Sequence, residues 1–234
     1  MTSAAAATET AAGGDAPRVI YTAAYGVIGP EQRWVERPVV EVDARGVITR
    51  VGCAGDPEHS DAPARPDAPP RSEAIVHDLG DSVLLPGLVN AHSHAFQRTI
   101  RGATHARGAG DPSDFWSWRA AMYEAAGALD PEGVYAITRR CFAEMLDAGI
   151  TCVGEFHYLH HGPDGTPYDD PAELSRQVIR AARDVGLRLA LLEVYYARAG
   201  AGSPPLPEQR RFVDASVEAY LRRVETLRAE ADGD

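Results

Sequence analysis

Cysteine is scarce in this sequence. Only Cys53, Cys141 and Cys152 occur, an odd number with no CxxC pair. That excludes a disulfide framework and a zinc–thiolate site. Positive charge is also short. Twenty-three basic residues against 34 acidic ones give a net charge of −11, which argues against nucleic acid and anionic membrane surfaces as partners. No apolar run approaches the roughly 20 residues of a membrane span. The N-terminal stretch carries Glu9 but neither the basic cluster nor the apolar segment of a signal peptide. A P-loop is missing as well, because Arg107-Gly108-Ala109-Gly110 lacks the Lys-Ser/Thr ending and a preceding strand. No serine or cysteine nucleophile motif is found. These absences point to a reducing, cytoplasmic setting and to chemistry carried by other side chains.

The composition is that of a folded protein: 44% hydrophobic and 24% charged residues can fill a core. Three regions differ in pattern. Residues 1–17 are small, polar and aperiodic, and are expected to form a disordered leader. Residues 18–80 hold β-prone runs at 19–25, 34–42, 47–51 and 75–79. Asp43-Ala44-Arg45-Gly46 forms a plausible hairpin turn, and five prolines make 57–70 a loop. A small β-sandwich layer is expected there. Residues 81–234 alternate. An apolar strand at 83–90 comes first. A helix opened by Asp130-Pro131 and closed by Gly149 follows, with Val134, Ile137, Cys141, Met145 and Ala148 at helical spacing. Residues 151–156 read as the next strand. A second helix opens at Asp170-Pro171, with Leu174, Val178, Ala181 and Val185 on one face. A strand at 187–196 precedes a last helix carrying Val213, Val217, Tyr220, Val224 and Leu227. This β-α-β-α-β-α order implies a parallel sheet with helices outside it.

His92 and His94 are the sharpest chemical feature. Residues i and i+2 on a strand point to the same face, so the two imidazoles aim side by side from the end of an apolar strand. They can hold Zn²⁺ or be a pair of surface histidines, and a catalytic zinc needs about three protein ligands. Glu155, His157, His160 and His161 cluster after the second strand, where βα loops carry function in parallel barrels. They suit substrate binding or metal ligation, or a polar loop whose histidines bond locally. Residues 115–119, Phe-Trp-Ser-Trp-Arg, suit either a wall that grips a carboxylate through Arg119 or an aromatic helix face packed on the core.

Residues 85–98, Leu-Pro-Gly-Leu-Val-Asn-Ala-His-Ser-His-Ala-Phe-Gln-Arg, resemble the start of the barrel in the amidohydrolase superfamily. Three further stretches narrow this resemblance to the formimidoylglutamate deiminase family: residues 115–119, Glu155-Phe156-His157-Tyr158, and 168–174. The resemblance runs from about residue 19 to the C-terminus. It implies zinc-dependent hydrolysis of N-formimino-L-glutamate, a dicarboxylate, to N-formyl-L-glutamate and ammonia in histidine degradation. By the same resemblance, His92 and His94 match two metal ligands, and Gln97, Arg119 and Tyr158 match substrate-binding positions. One Zn²⁺ is implied, and so is a homodimer, since these barrels often dimerise.

A complete barrel of this family has eight strands in about 250 residues, and residues 81–234 are shorter than that. The expected fold is therefore α/β: a small N-terminal β-sandwich layer followed by about three β-α units of a metal-dependent hydrolase (β/α)8 barrel. In the family, later strands supply another zinc-binding His, a catalytic His and a zinc-binding Asp. No position here matches them, so the chain is expected to hold no catalytic residue of its own and to be an inactive N-terminal portion. An open sheet of three strands would expose its edges. Two alternatives are another deaminase of the superfamily and a non-catalytic α/β binding module.

Overall fold

The computed structural model describes residues 18–56, 74–102 and 115–231. The expected leader and the proline-rich loop lie outside the described residues. The chain divides into two units, Met1–Pro86 and Gly87–Asp234.

The first unit is built from β1 (Val19–Thr22), β2 (Tyr25–Ile28), β3 (Arg33–Glu36), β4 (Pro38–Val42), β5 (Ile48–Cys53), β6 (Ile75–Asp78) and β7 (Val83–Leu84). They form two sheets, ordered β5-β4-β1-β6 and β3-β2-β7. Two runs that read as single strands are each broken where the chain steps between these sheets. Residues 19–25 break at Ala23-Ala24, where the Ala24 amide turns to the Gly80 carbonyl at 2.8 Å. Residues 34–42 break at Arg37, which takes a φ of 51°. This left-handed conformation costs an L-residue roughly 1–2 kcal/mol, and the Arg37 amide is tied to the Ala24 carbonyl at 2.9 Å. Alternation within a run does not reveal such a break, because both halves keep β propensity. The expected hairpin turn is present between β4 and β5. Asp43 Oδ1 accepts from the amides of Arg45 and Val47 at 2.9 Å each, and Gly46 has a φ of 78°.

The second unit contains β8 (Leu88–Ser93), a 3-10 turn (Ala95–Ile100), α1 (Phe115–Ala128), α2 (Pro131–Asp147), β9 (Ile150–His157), α3 (Glu173–Val185), β10 (Arg188–Glu193), a short 3-10 turn (Pro207–Gln209) and α4 (Val217–Ala231). Its sheet is parallel, in the order β10-β9-β8. The expected strand at 83–90 is two strands. Val83 and Leu84 pair in the first unit, Pro86 has no amide to donate, and β8 starts at Leu88. Gly87 is needed at this start, since a Cβ there would lie 2.1 Å from Thr151 Oγ1.

Helix α2 begins as its sequence suggests. Asp130 Oδ1 accepts from the Gly133 amide at 2.7 Å and Pro131 fills the first turn. Its inner face is Val134, Thr138 and Phe142, with Cys141 and Met145 partly buried beside them. Leu174, Val178 and Ala181 of α3 are buried as expected, and Gly186 closes that helix at φ 76°. The last helix starts later than Val213: α4 opens at Val217, with Ser216 Oγ accepting from the Ala219 amide at 3.2 Å. The core joins Phe142, Val153, Leu159, Leu174, Val178 and Phe212. In contrast, Leu88, Val89, Phe156 and Leu192 of the sheet are exposed. No helix among the described residues is long and apolar enough to cross a membrane.

Candidate functional site

The site is built where β8 ends. Asn90 pairs with Val153 and Ser93 with Glu155, so two residues of β8, Ala91 and His92, stand against Gly154 alone. This is a β-bulge, which interrupts the ladder and re-aims side chains. The His92 amide turns instead to Asn90 Oδ1 at 3.2 Å.

His92 and His94 then converge. Their Nε2 atoms are 3.2 Å apart and the rings meet at 88°. His94 Nδ1 lies 3.0 Å from the Phe156 carbonyl. A carbonyl only accepts, so Nδ1 carries the proton and Nε2 of the neutral ring presents its lone pair. Burial lowers the pKa of His94 and a charge on His92 lowers it further, against the pull of the Phe156 carbonyl. Two nitrogens on one tetrahedral zinc, at bond lengths of about 2.0–2.1 Å, stand about 3.3 Å apart. The pair fits half of such a donor set. Among the described residues no group of three or more His, Cys, Asp and Glu could complete it.

Two residues of the 155–158 stretch flank the His94 ring. Phe156 and Tyr158 each meet its ring edge-on, with centroids 5.3 Å away. Gln97, one turn beyond the pair, donates Nε2 to Tyr158 Oη at 2.8 Å. Burial pushes the Tyr158 phenol up to about 12, so it stays neutral. Two of the three expected substrate-binding residues therefore sit together beside His94. Glu155 points to the other side of β9 and is buried. Its Oε1 accepts from the Ala95 amide at 2.6 Å, and Oε2 has no hydrogen-bond partner among the described residues. Burial raises its pKa to about 7, against the hydrogen bonds from Ser93 and Ala95.

Arg119 lies on α1. It donates Nε to Tyr123 Oη at 2.8 Å and stacks over the Trp116 and Tyr123 rings at 5.6 and 5.3 Å. No hydrogen bond among the described residues joins it to Gln97, Tyr158 or the histidines. With Trp116, Tyr123, Glu208 and Arg210 it lines a cavity of about 580 Å³. Trp118 packs on the core, whereas Phe115 and Trp116 are exposed.

His157, His160 and His161 are all buried. His161 Nε2 donates to the Val213 carbonyl at 2.9 Å, and His160 Nε2 faces the Val194 carbonyl at 3.0 Å. Arg223 lies at their centre, binding Glu193 Oε2 at 2.9 Å and Asp214 Oδ1 at 2.6 Å, with Nη2 3.2 Å from His160 Nε2. Burial pushes His160 down to about 3. Burial alone would raise Glu193, but His157, His160, Ser175 and Arg223 together hold it below the usual carboxylate range. No hydrogen bond or ring contact joins this trio to His92 or His94 among the described residues. No local pattern marks Glu193, Asp214 and Arg223 as its partners, because they come from three separate segments.

The family described as Amidohydrolase family matches residues 83–233. Formimidoylglutamate deiminase of Pseudomonas aeruginosa is 44% identical over 198 residues, covering 84% of this chain and 39% of that protein. Among solved structures, an amidohydrolase from Brucella melitensis superposes with a TM-score of 0.74 at 35% identity, covering 92% of this chain and 43% of that one. An adenosine deaminase from Xanthomonas campestris with bound zinc shares the fold, with a TM-score of 0.59, 22% identity and coverage of 92% and 40%. The chain thus spans about two fifths of the length of these relatives.

Proposed function

The chain belongs to the amidohydrolase family, and on that premise we propose that it carries part of the zinc and substrate site of a deiminase acting on N-formimino-L-glutamate in histidine degradation. The observation that carries this reading is the convergence of His92 and His94 Nε2 at 3.2 Å, with Phe156 fixing the tautomer. It is supported by the 44% identity to a formimidoylglutamate deiminase. The overall reaction adds water across the formimino carbon, breaks its bond to the terminal nitrogen, and yields N-formyl-L-glutamate and ammonia. Bound zinc would supply Lewis-acid activation of water. His92 and His94 would hold it through Nε2. The Gln97 amide and the neutral Tyr158 hydroxyl would orient the polar formimino group. Arg119, without a carboxylate partner among the described residues, would bind a substrate carboxylate in the cavity it lines. The proton transfers are assigned to no residue of this chain.

Calorimetric titration with N-formyl-L-glutamate, with and without zinc, tests the reading. Zinc-dependent binding that is lost in Arg119→Ala supports it. Binding of a purine base in its place would favour a ring-directed deaminase instead. Turnover by this chain alone is expected to be undetectable, because the two imidazoles that converge among the described residues are fewer than the three ligands a catalytic zinc needs. Zinc-dependent ammonia release by the purified chain would overturn that expectation.

A further inference from the structure

A metal ligand on a bulged strand end has a positioning problem. Regular pairing between β8 and β9 is interrupted after Asn90, so the backbone ladder holds the segment carrying His92 and His94 less firmly than the strand before it. The 3-10 turn that follows begins at Ala95, and His94 as its N-cap offers no side-chain cap. Something else must fix the His94 backbone if its Nδ1 is to reach the Phe156 carbonyl.

The buried Glu155 side chain occupies this place. Its Oε1 takes the Ala95 amide at 2.6 Å, and Glu155 is the ladder partner of Ser93. Those are the residues immediately before and after His94. The next residue on β9, Phe156, supplies the carbonyl that receives His94 Nδ1–H. One dipeptide thus grips the ligand twice, at its flanking backbone and at its ring.

We propose that Glu155 is a positioning residue that anchors the chain at Ala95, just past the bulged end of β8, and thereby locks His94 in the Nδ1–H tautomer, with the Nε2 lone pair available to a metal. The importance of this lock for zinc rests on the metal-ligand reading above; the lock itself is a property of the metal-free chain. Glu155 touches neither the substrate nor the metal in this account. Partners that orient ligand histidines typically change metal affinity 10–100-fold when removed.

The test uses ¹⁵N-labelled full chain without metal. Imidazole ¹H–¹⁵N spectra report the tautomer of His94, with the His94→Gln spectrum assigning the signal. Wild type is expected to show one Nδ1–H tautomer. Glu155→Ala is expected to mix the two tautomers while circular dichroism stays that of a folded chain. Glu155→Gln, which keeps an acceptor oxygen for the Ala95 amide, is expected to restore the single form. A role confined to stability would lower the melting temperature of Glu155→Ala and leave its tautomer unchanged, and that result would overturn the proposal. If Glu155→Ala does not fold, Glu155→Asp is read the same way, since it withdraws the carboxylate by one methylene. Zinc is then added to the same samples. Wild type is expected to bind at least tenfold more tightly than Glu155→Ala. Failure of wild type to bind zinc would contradict the metal reading alone, because the tautomer result decides the role of Glu155 independently.

Discussion

The histidine pair at the end of β8 and the buried trio after β9 use the same side chain in opposite ways. His92 and His94 turn two Nε2 atoms towards each other, and the bond from His94 Nδ1 to the Phe156 carbonyl leaves the His94 Nε2 lone pair facing His92. In the trio, His160 and His161 direct Nε2 to backbone carbonyls, and the surrounding space is filled by Arg223, Glu193 and Asp214. A histidine is open to a ligand when its spare nitrogen can be reached; the spare nitrogens of His157, His160 and His161 are buried. Spacing in the sequence does not say which nitrogen that is.

This contrast sets what each region should lose on mutation. Arg223→Ala should have the largest effect, because it leaves Glu193 and Asp214 buried without their cation. Breaking such a buried ion pair costs about 3–5 kcal/mol, to be read by denaturant unfolding. An effect below about 1 kcal/mol would mean that the trio's surroundings are wet and loosely held. Gly87→Ala comes next. Its Cβ would press on Thr151 and part β8 from β9, an overpacking cost of roughly 1–3 kcal/mol, and it should weaken the open pair together with the fold. Tyr158→Phe removes the acceptor of the Gln97 amide and should cost about 0.5–1.5 kcal/mol while leaving zinc binding in place. His94→Ala should change stability least, within about 1 kcal/mol of wild type, and yet abolish zinc binding.

Acid sharpens the same comparison. His160 titrates near 3 in the folded chain and near 6.5 when unfolded. Between these values the unfolded chain binds the extra proton, so stability is fully present above pH 6.5 and falls as pH drops towards 3. Glu193, held below its ordinary value, adds to the loss at the acid end of that window. The groups facing His160 are His157, His161, Glu193, Asp214 and Arg223. His160→Gln should flatten the decline in unfolding free energy measured from pH 6.5 to 4. An unchanged slope would place the acid sensitivity elsewhere.

Much of this was legible from residues alone. The β-α-β-α-β-α order follows from apolar spacing and from caps such as Asp130 and Gly186. The i, i+2 spacing marked His92 and His94 as a pair, although the bulge at Ala91-His92 and the end of β8 at Ser93 decide how they meet. What the sequence hid are places where a backbone turn or a distant partner decides. Arg37 and Pro86 divide runs whose residue types stay β-prone throughout. Val213 keeps helical spacing with Val217 but precedes the Ser216 cap. Glu155 and the three histidines after it look like one cluster in the chain, but strand alternation sends Phe156 towards His94 and Glu155 to the opposite face. The partners of the trio, from residues 193, 214 and 223, share no local pattern.

The most direct test is a calorimetric zinc titration of wild type, His94→Ala and His160→Gln side by side. Wild type and His160→Gln are expected to bind zinc alike, and His94→Ala is expected not to bind it. Zinc binding that survives in His94→Ala, or that disappears in a folded His160→Gln chain, would contradict that expectation.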